Sequence, residues 1–195
     1  MKIQNIILKI TPYYYKNHLF ISNNQVNLDF TKQSNDYTIH FPADLSIISK
    51  FNSSKIDFTI EDFKKILQSN NQILIVTRKK EIVHRTILQN QGKVLMEGDR
   101  NAFILDQNER YVHSCFTSIE HRSKGLYTYV LNYILNSSIS SAIPVKVFIA
   151  CRQKSIASVR GITKAGFKYY KSSKILGILS GIFRYRIWYI KNLEI

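Results

Sequence analysis

The sequence predicts a mixed α/β (α+β) fold, in which a mostly antiparallel sheet contains one locally parallel pair of strands and is flanked by helices. Two features carry this expectation. From Gln72 onward, short apolar runs are separated by polar turns, the pattern of an antiparallel meander. Further along the order changes to strand, helix, strand, helix, and a helix that connects two strands of one sheet makes them parallel. With 45% hydrophobic residues and no long charged or Pro/Gly-rich block, the 195 residues suffice for one core, so a single domain over 1–195 is expected.

Residues 1–58 are aromatic and Asn-rich. They hold only short alternating stretches such as 37–41, punctuated by Pro12 and Pro42, and no element is assigned there. A helix begins at Thr59, a hydroxyl cap followed by Glu61 and Asp62 in the first turn, with Ile60, Phe63, Ile66 and Leu67 on one face and Asn70-Asn71 as its end. Strands follow at 72–77, 81–88, 93–96, 101–105 and 110–118. Their turns are Lys79-Lys80, Asn90-Gln91-Gly92, Gly98-Asp99 and Asp106-Gln107-Asn108. A helix over 127–136, a strand over 145–151 and a helix over 154–164 closed by Gly166 form the crossover unit. Segments 167–170 and 184–190 read as two more strands.

The net charge is +15, from 28 Lys plus Arg against 13 Asp plus Glu, which raises the question of a polyanionic partner. The basic residues are scattered and accompany an excess of Ile and Asn, so a phosphate-bearing small ligand is favoured over nucleic acid. Cys115 and Cys151 form neither a C-x-x-C pair nor a Cys/His cluster, so no metal site or disulfide framework is expected. Cys115 sits in an apolar strand and is read as core, because a nucleophilic thiolate needs a base and an electropositive setting. The apolar stretch 175–183 is far short of the ~20 residues that span a bilayer. A cytoplasmic location is expected.

The most informative segment is Thr117-Ser118-Ile119-Glu120-His121-Arg122-Ser123-Lys124-Gly125-Leu126-Tyr127-Thr128, a basic turn between a strand and a helix. Such a turn offers backbone N–H groups and the positive end of a helix dipole, which suits an anion. The segment resembles the acyl-CoA motif of the GNAT superfamily, Q/R-x-x-G-x-G/A: Arg122 and Gly125 match, and Tyr127 stands where the family has Gly or Ala. About 30 residues on, Ser155-Ile156-Ala157-Ser158-Val159-Arg160-Gly161-Ile162-Thr163-Lys164-Ala165-Gly166-Phe167 is similar to the family's N-x-x-S-I-x-x-x-x-K-x-G-F helix. There Ser155 replaces the usual Asn, and Ile162 falls where a general-acid Tyr often stands. The likeness covers about residues 110–170.

The resemblance implies a GNAT-like sheet whose central parallel strands, 110–118 and 145–151, splay apart, with 59–195 as core and 1–58 as the variable part that shapes the acceptor site. It implies acetyl-CoA or another acyl-CoA as co-substrate. The contacts would come from Cys115, Thr117, Ile119, Arg122, Ser123, Lys124, Gly125, Leu126, Tyr127, Thr128, Ser155 and Ser158. Direct transfer to an amine needs a proton acceptor, for which His113 is the first candidate, with Glu120 and His84 behind it. Tyr127 or Tyr129 would stand in for the missing acid. Three functions follow: an N-acyltransferase acting on the amine of a small molecule, amino sugar or peptide; one acting on tRNA or another nucleic acid; and a non-catalytic module that binds CoA or nucleic acid. The oligomeric state is left open.

Overall fold

A computed structural model describes residues 13–22, 36–69, 71–96, 99–139, 145–178 and 183–189. The element order is β1 (Tyr13–Ile21), β2 (Thr38–His40), α1 (Leu45–Ile48), α2 (Ile60–Gln68), β3 (Gln72–Arg78), β4 (Glu81–Gln89), β5 (Gly92–Met96), β6 (Asp99–Leu105), β7 (Glu109–Thr117), α3 (Leu126–Ile139), β8 (Lys146–Arg152), α4 (Ile156–Lys164), β9 (Lys168–Ile178) and β10 (Phe183–Tyr189). Eight strands form one sheet in the order β10-β9-β1-β8-β7-β4-β3-β2, and β5 and β6 pair separately. Every pairing in the large sheet is antiparallel except β7 with β8, so the fold is a mixed, mostly antiparallel sheet with the parallel pair at its centre.

Local chemistry explains the helices. Thr59 caps α2 in a capping box: its hydroxyl accepts from the Asp62 N–H while the Asp62 carboxylate accepts from the Thr59 N–H. In α4, Gly166 takes φ 94°, and the N–H groups of Gly166 and Phe167 donate to the carbonyls of Thr163 and Ile162. That is a Schellman ending, and it drives Phe167 into the core beside Ile162. Along α3 the buried residues Leu126, Val130, Leu131, Ile134 and Leu135 keep helical spacing.

The sheet is covered on both faces. Helices α3 and α4 pack with Leu74, Val76, Leu88, Val112, Val147 and Ile149. On the opposite face α1 and α2 meet Ile73, Ile75, Ile82 and Ile87, and the β5–β6 hairpin lays Val94, Met96 and Leu105 on Leu19, Tyr111 and Phe148. Here the structure departs from the expected meander. β4 pairs with β7, skipping β5 and β6, because Val94 and Met96 gain burial only by folding over the sheet.

A larger departure lies in the region where the sequence assigns nothing. β1 is an inner strand between β8 and β9, and it buries the polar residues Asn17 and His18. His18 Nδ1 lies 2.6 Å from Ser172 Oγ, and that hydroxyl lies 2.7 Å from the Tyr169 hydroxyl, so the imidazole is paired inside the sheet. The expected end of α2 at Asn70 and the expected turn residue Gly98 lie outside the described residues, as do residues 1–12 and 23–35 of the N-terminal part.

Candidate active site

β7 and β8 stay paired only from Glu109 opposite Lys146 to Val112 opposite Ile149. Beyond this point β7 remains on β4 and β8 remains on β1, so the two strands part. On the β8 side, the backbone of residues 113–117 has no ladder partner. At the same place the register slips: His113 opposes Ile87 and Phe116 opposes Arg85, so Ser114 and Cys115 share the single residue Thr86. Ser114 takes φ 50°, an unusual backbone for a non-glycine residue. The bulge sends neighbouring side chains to opposite faces, with His113 toward the hairpin and Cys115 toward α3 and α4.

On the α3/α4 side lies a cleft of about 460 Å³, lined by Cys115, Thr117, Arg122, Ser123, Gly125, Leu126, Tyr127, Thr128, Ser158 and Gly161 among others. None of its described lining residues is Asp or Glu. Ser123 and Gly125 adopt φ 59° and 78°, so the turn curls its backbone before α3 starts. The first helical bond runs from the Tyr129 N–H to the Gly125 carbonyl, which leaves the N–H groups of residues 126–128 without an intrahelical acceptor. Arg122 is held over the cleft, because its Nε donates to the Thr117 carbonyl at 2.9 Å and its guanidinium lies 5.4 Å from the Phe116 ring centroid. Aligned N–H groups, a helix dipole and a fixed guanidinium are an arrangement suited to an anion.

Tyr127 shapes the inner end of this cleft. A Cβ built on Gly161 would meet Tyr127 Cδ1 at 2.8 Å and Cε1 at 3.1 Å, so the absent side chain on α4 makes room for the large one on α3. Beneath it runs a polar chain. Cys115 Sγ donates weakly to the His113 carbonyl at 3.8 Å, and Thr86 Oγ1 lies 2.7 Å from Nε2 of His84, whose Nδ1 lies 2.7 Å from Thr117 Oγ1. Burial sets the charges here. It holds His84 down at about 3, aided by the nearby Arg85 cation, and pushes the Cys115 thiol up to about 11 and the Tyr127 phenol well above its usual value. All three are neutral near pH 7, and Cys115 is no thiolate.

On the hairpin side of the same parting lies a second cleft, about 640 Å³, lined by Asn17, Lys93, Tyr111, His113, Ser114, Cys151 and Arg152 among others. The His113 ring stacks on Tyr111 at 5.7 Å and 14°, and its Nδ1 lies 2.9 Å from Ser114 Oγ. Burial, and then the Arg85 charge, lowers its pKa to about 4. Arg85 itself donates to the carbonyls of Ser114 at 2.6 Å and Ile56 at 3.3 Å, and so braces the bulge.

The other sequence candidates sit elsewhere. Glu120 is exposed and pairs with Lys55 at 2.9 Å, which also reaches Glu81 at 3.1 Å; that ammonium holds the Glu120 carboxyl below its ordinary value. Ile119 is 77% exposed, Lys124 is exposed, and Ser155 occupies the N-cap position of α4; none of these or Glu120 lines either cleft. Thr128 donates weakly to the Gly161 carbonyl at 3.4 Å. Tyr129 packs against the core at half burial. Asn17, Lys93 and Arg152 escape a sequence reading because only long-range structure brings them together: Asn17 opposes Arg152 across β1 and β8, and Lys93 comes from the separate β5–β6 hairpin.

No protein-family model matches the sequence, and no curated protein matches it. Solved structures do match. A GNAT-family acetyltransferase from Colwellia psychrerythraea superposes over 89% of this chain and 59% of its own at TM-score 0.54 and 12% identity. A GCN5-related N-acetyltransferase-like protein from Streptococcus suis 89/1591 does so over 89% and 66%, at 0.52 and 9%. A GCN5-related N-acetyltransferase from Sphaerobacter thermophilus does so over 98% and 59%, at 0.54 and 12%. The chain thus spans less than two thirds of the length of these neighbours, and at such identities the likeness is one of fold. The fold of this chain is that of the GNAT acetyltransferases.

Proposed function

We propose that the protein is an acyl-CoA-dependent N-acyltransferase that moves an acetyl group to an amine. The observation that carries the reading is a cleft on each face of the sheet where β7 and β8 part, with Ser114 lining one and its neighbour Cys115 the other. A cleft on each face gives a long donor and a separate acceptor their own approach to the gap between the two strands. The α3/α4 cleft suits the donor: its curled turn, helix N-terminus and Arg122 fit a pyrophosphate, and it lacks carboxylates among its described lining residues. Acetyl-CoA would supply the acetyl group as an activated thioester.

The chain's own residues then have limited tasks. Arg122 and the N–H groups of residues 123–128 hold the phosphates, and Ser158 and Thr128 border the arm between α3 and α4. The unladdered backbone at Ser114 and Cys115 offers hydrogen bonds where charge develops on the carbonyl oxygen. Tyr127 keeps its proton throughout. Its phenol is a weaker acid than a thiol, so it stabilises a departing thiolate by donating a hydrogen bond, and solvent completes the protonation. His113, held near 4, is a neutral acceptor that orients the amine N–H; it is too weak a base to strip an ammonium, so the amine sheds its proton to water on entering the cleft.

The test is direct. Acetyl-CoA at 100 times its dissociation constant adds about 2.7 kcal/mol of stability to a protein that binds it, and the thermal transition rises accordingly. A transition unmoved by millimolar acetyl-CoA, together with no heat in a calorimetric titration, contradicts the reading.

A further inference from the structure

We infer that the acceptor is a small amine bearing a carboxylate, such as an amino acid, and that Lys93 and Arg152 select it by that charge. The inference rests on the acyltransferase reading above and assigns the substrate class of its second cleft. Lys93 arrives on the β5–β6 hairpin and Arg152 on the end of β8, so two different elements bring a cation to one cleft of about 640 Å³. No Asp or Glu is among the described residues that line it. The remaining polar lining is neutral, chiefly Asn17, Tyr111 and His113, with the imidazole uncharged near pH 7.

A polyamine or aminoglycoside acceptor carries several positive charges and needs carboxylates to offset their desolvation. This cleft offers none among its described lining residues, and the chain's net charge of +15 repels such a molecule from a distance. An acceptor whose carboxylate meets Lys93 and Arg152 is attracted from solution and is oriented at the same time. The anion is fixed near the outer cations and its amine points inward to His113 and the bulge. Guanidinium and ammonium groups bind carboxylates through charge-assisted hydrogen bonds, so losing the charge on the ligand should cost roughly tenfold or more in kcat/KM.

The experiment measures CoA thiol release from acetyl-CoA with two matched panels, the free α-amino acids and the corresponding α-amino acid carboxamides, with spermidine as a cationic control. The carboxamide has the less basic amine and more of it unprotonated at pH 8, so intrinsic reactivity works against the expected result. At least one free amino acid should be preferred over its carboxamide by roughly tenfold or more. Lys93→Gln and Arg152→Gln should each raise KM for that amino acid and shrink the preference, with KM for acetyl-CoA unchanged. Both side chains are exposed, so the variants fold. Equal use of carboxamides, preference for spermidine, or acetyl-CoA binding with no turnover of any free amino acid overturns the inference and leaves the acyltransferase reading standing. Absence of acetyl-CoA binding removes both.

Discussion

Replacing Gly161 with Ala tests how α3 and α4 fit around the cleft between them. In an exposed helix interior this change stabilises by about 1 kcal/mol, because Ala has the higher helix propensity. Here the new methyl would lie 2.8 Å from Tyr127 Cδ1 and 3.1 Å from Cε1. The ring has little freedom to retreat, since it packs against the core and is tilted over His84 with centroids 6.4 Å apart. Overpacking of this kind costs about 1–3 kcal/mol, so the net effect should be a loss of up to about 2 kcal/mol. With Tyr127→Ala as background the obstacle is gone and Gly161→Ala should stabilise by about 1 kcal/mol, a coupling of about 1–3 kcal/mol in a double-mutant cycle. Urea denaturation followed by circular dichroism reads all four proteins. A Gly161→Ala protein more stable than the parent by about 1 kcal/mol, or equal effects in both backgrounds, would refute the packing described here.

Further outcomes concern the site. Gly125→Val should reduce acetyl-CoA affinity at least tenfold, and the left-handed φ of 78° should cost a further ~1–2 kcal/mol of stability; nothing within 4 Å opposes the new Cβ, so the protein still folds. Isothermal calorimetry and urea denaturation check the two parts separately. Stability should fall as pH drops below about 6.5, by about 1.4 kcal/mol per pH unit for each imidazole that protonates only in the unfolded chain. His84 and His113 are such groups: their folded values, about 3 and about 4, lie below the free value, so stability is full above about 6.5 and is lost through the range down to 4. A flat stability curve from pH 7 to 4.5 contradicts this. For catalysis, log kcat/KM should climb with pH toward the pKa of the acceptor amine with no break near 6.5; a break there that vanishes in His113→Gln would show that His113 titrates as the base.

The parts of this fold that a sequence reading reaches are those dictated by local chemistry. Thr59 with Asp62 marks the start of α2, and Gly166 followed by Phe167 marks the end of α4, because capping involves residues only a few positions apart. The basic turn before α3 is legible for the same reason, and the crossover helix makes β7 and β8 parallel. β1 escapes because its period is disguised: Lys16, Asn17 and His18 stand together, and the partner of the His18 imidazole is Ser172, 154 residues away. The Ser114 bulge has no signal at all, since a serine with positive φ looks like any other serine. The cleft on the hairpin side follows from both, with Asn17 from β1, Lys93 from the separate hairpin and His113 turned outward at the bulge.

The central claim is that the turn before α3 is the phosphate-binding half of an acyl-CoA site. A calorimetric titration of acetyl-CoA into the parent protein and into Arg122→Ala tests it most directly. The account predicts saturable one-to-one binding to the parent, weakened roughly tenfold or more without the guanidinium and weakened further as salt is raised. No binding to the parent, or equal affinity in both proteins at low salt, would contradict it.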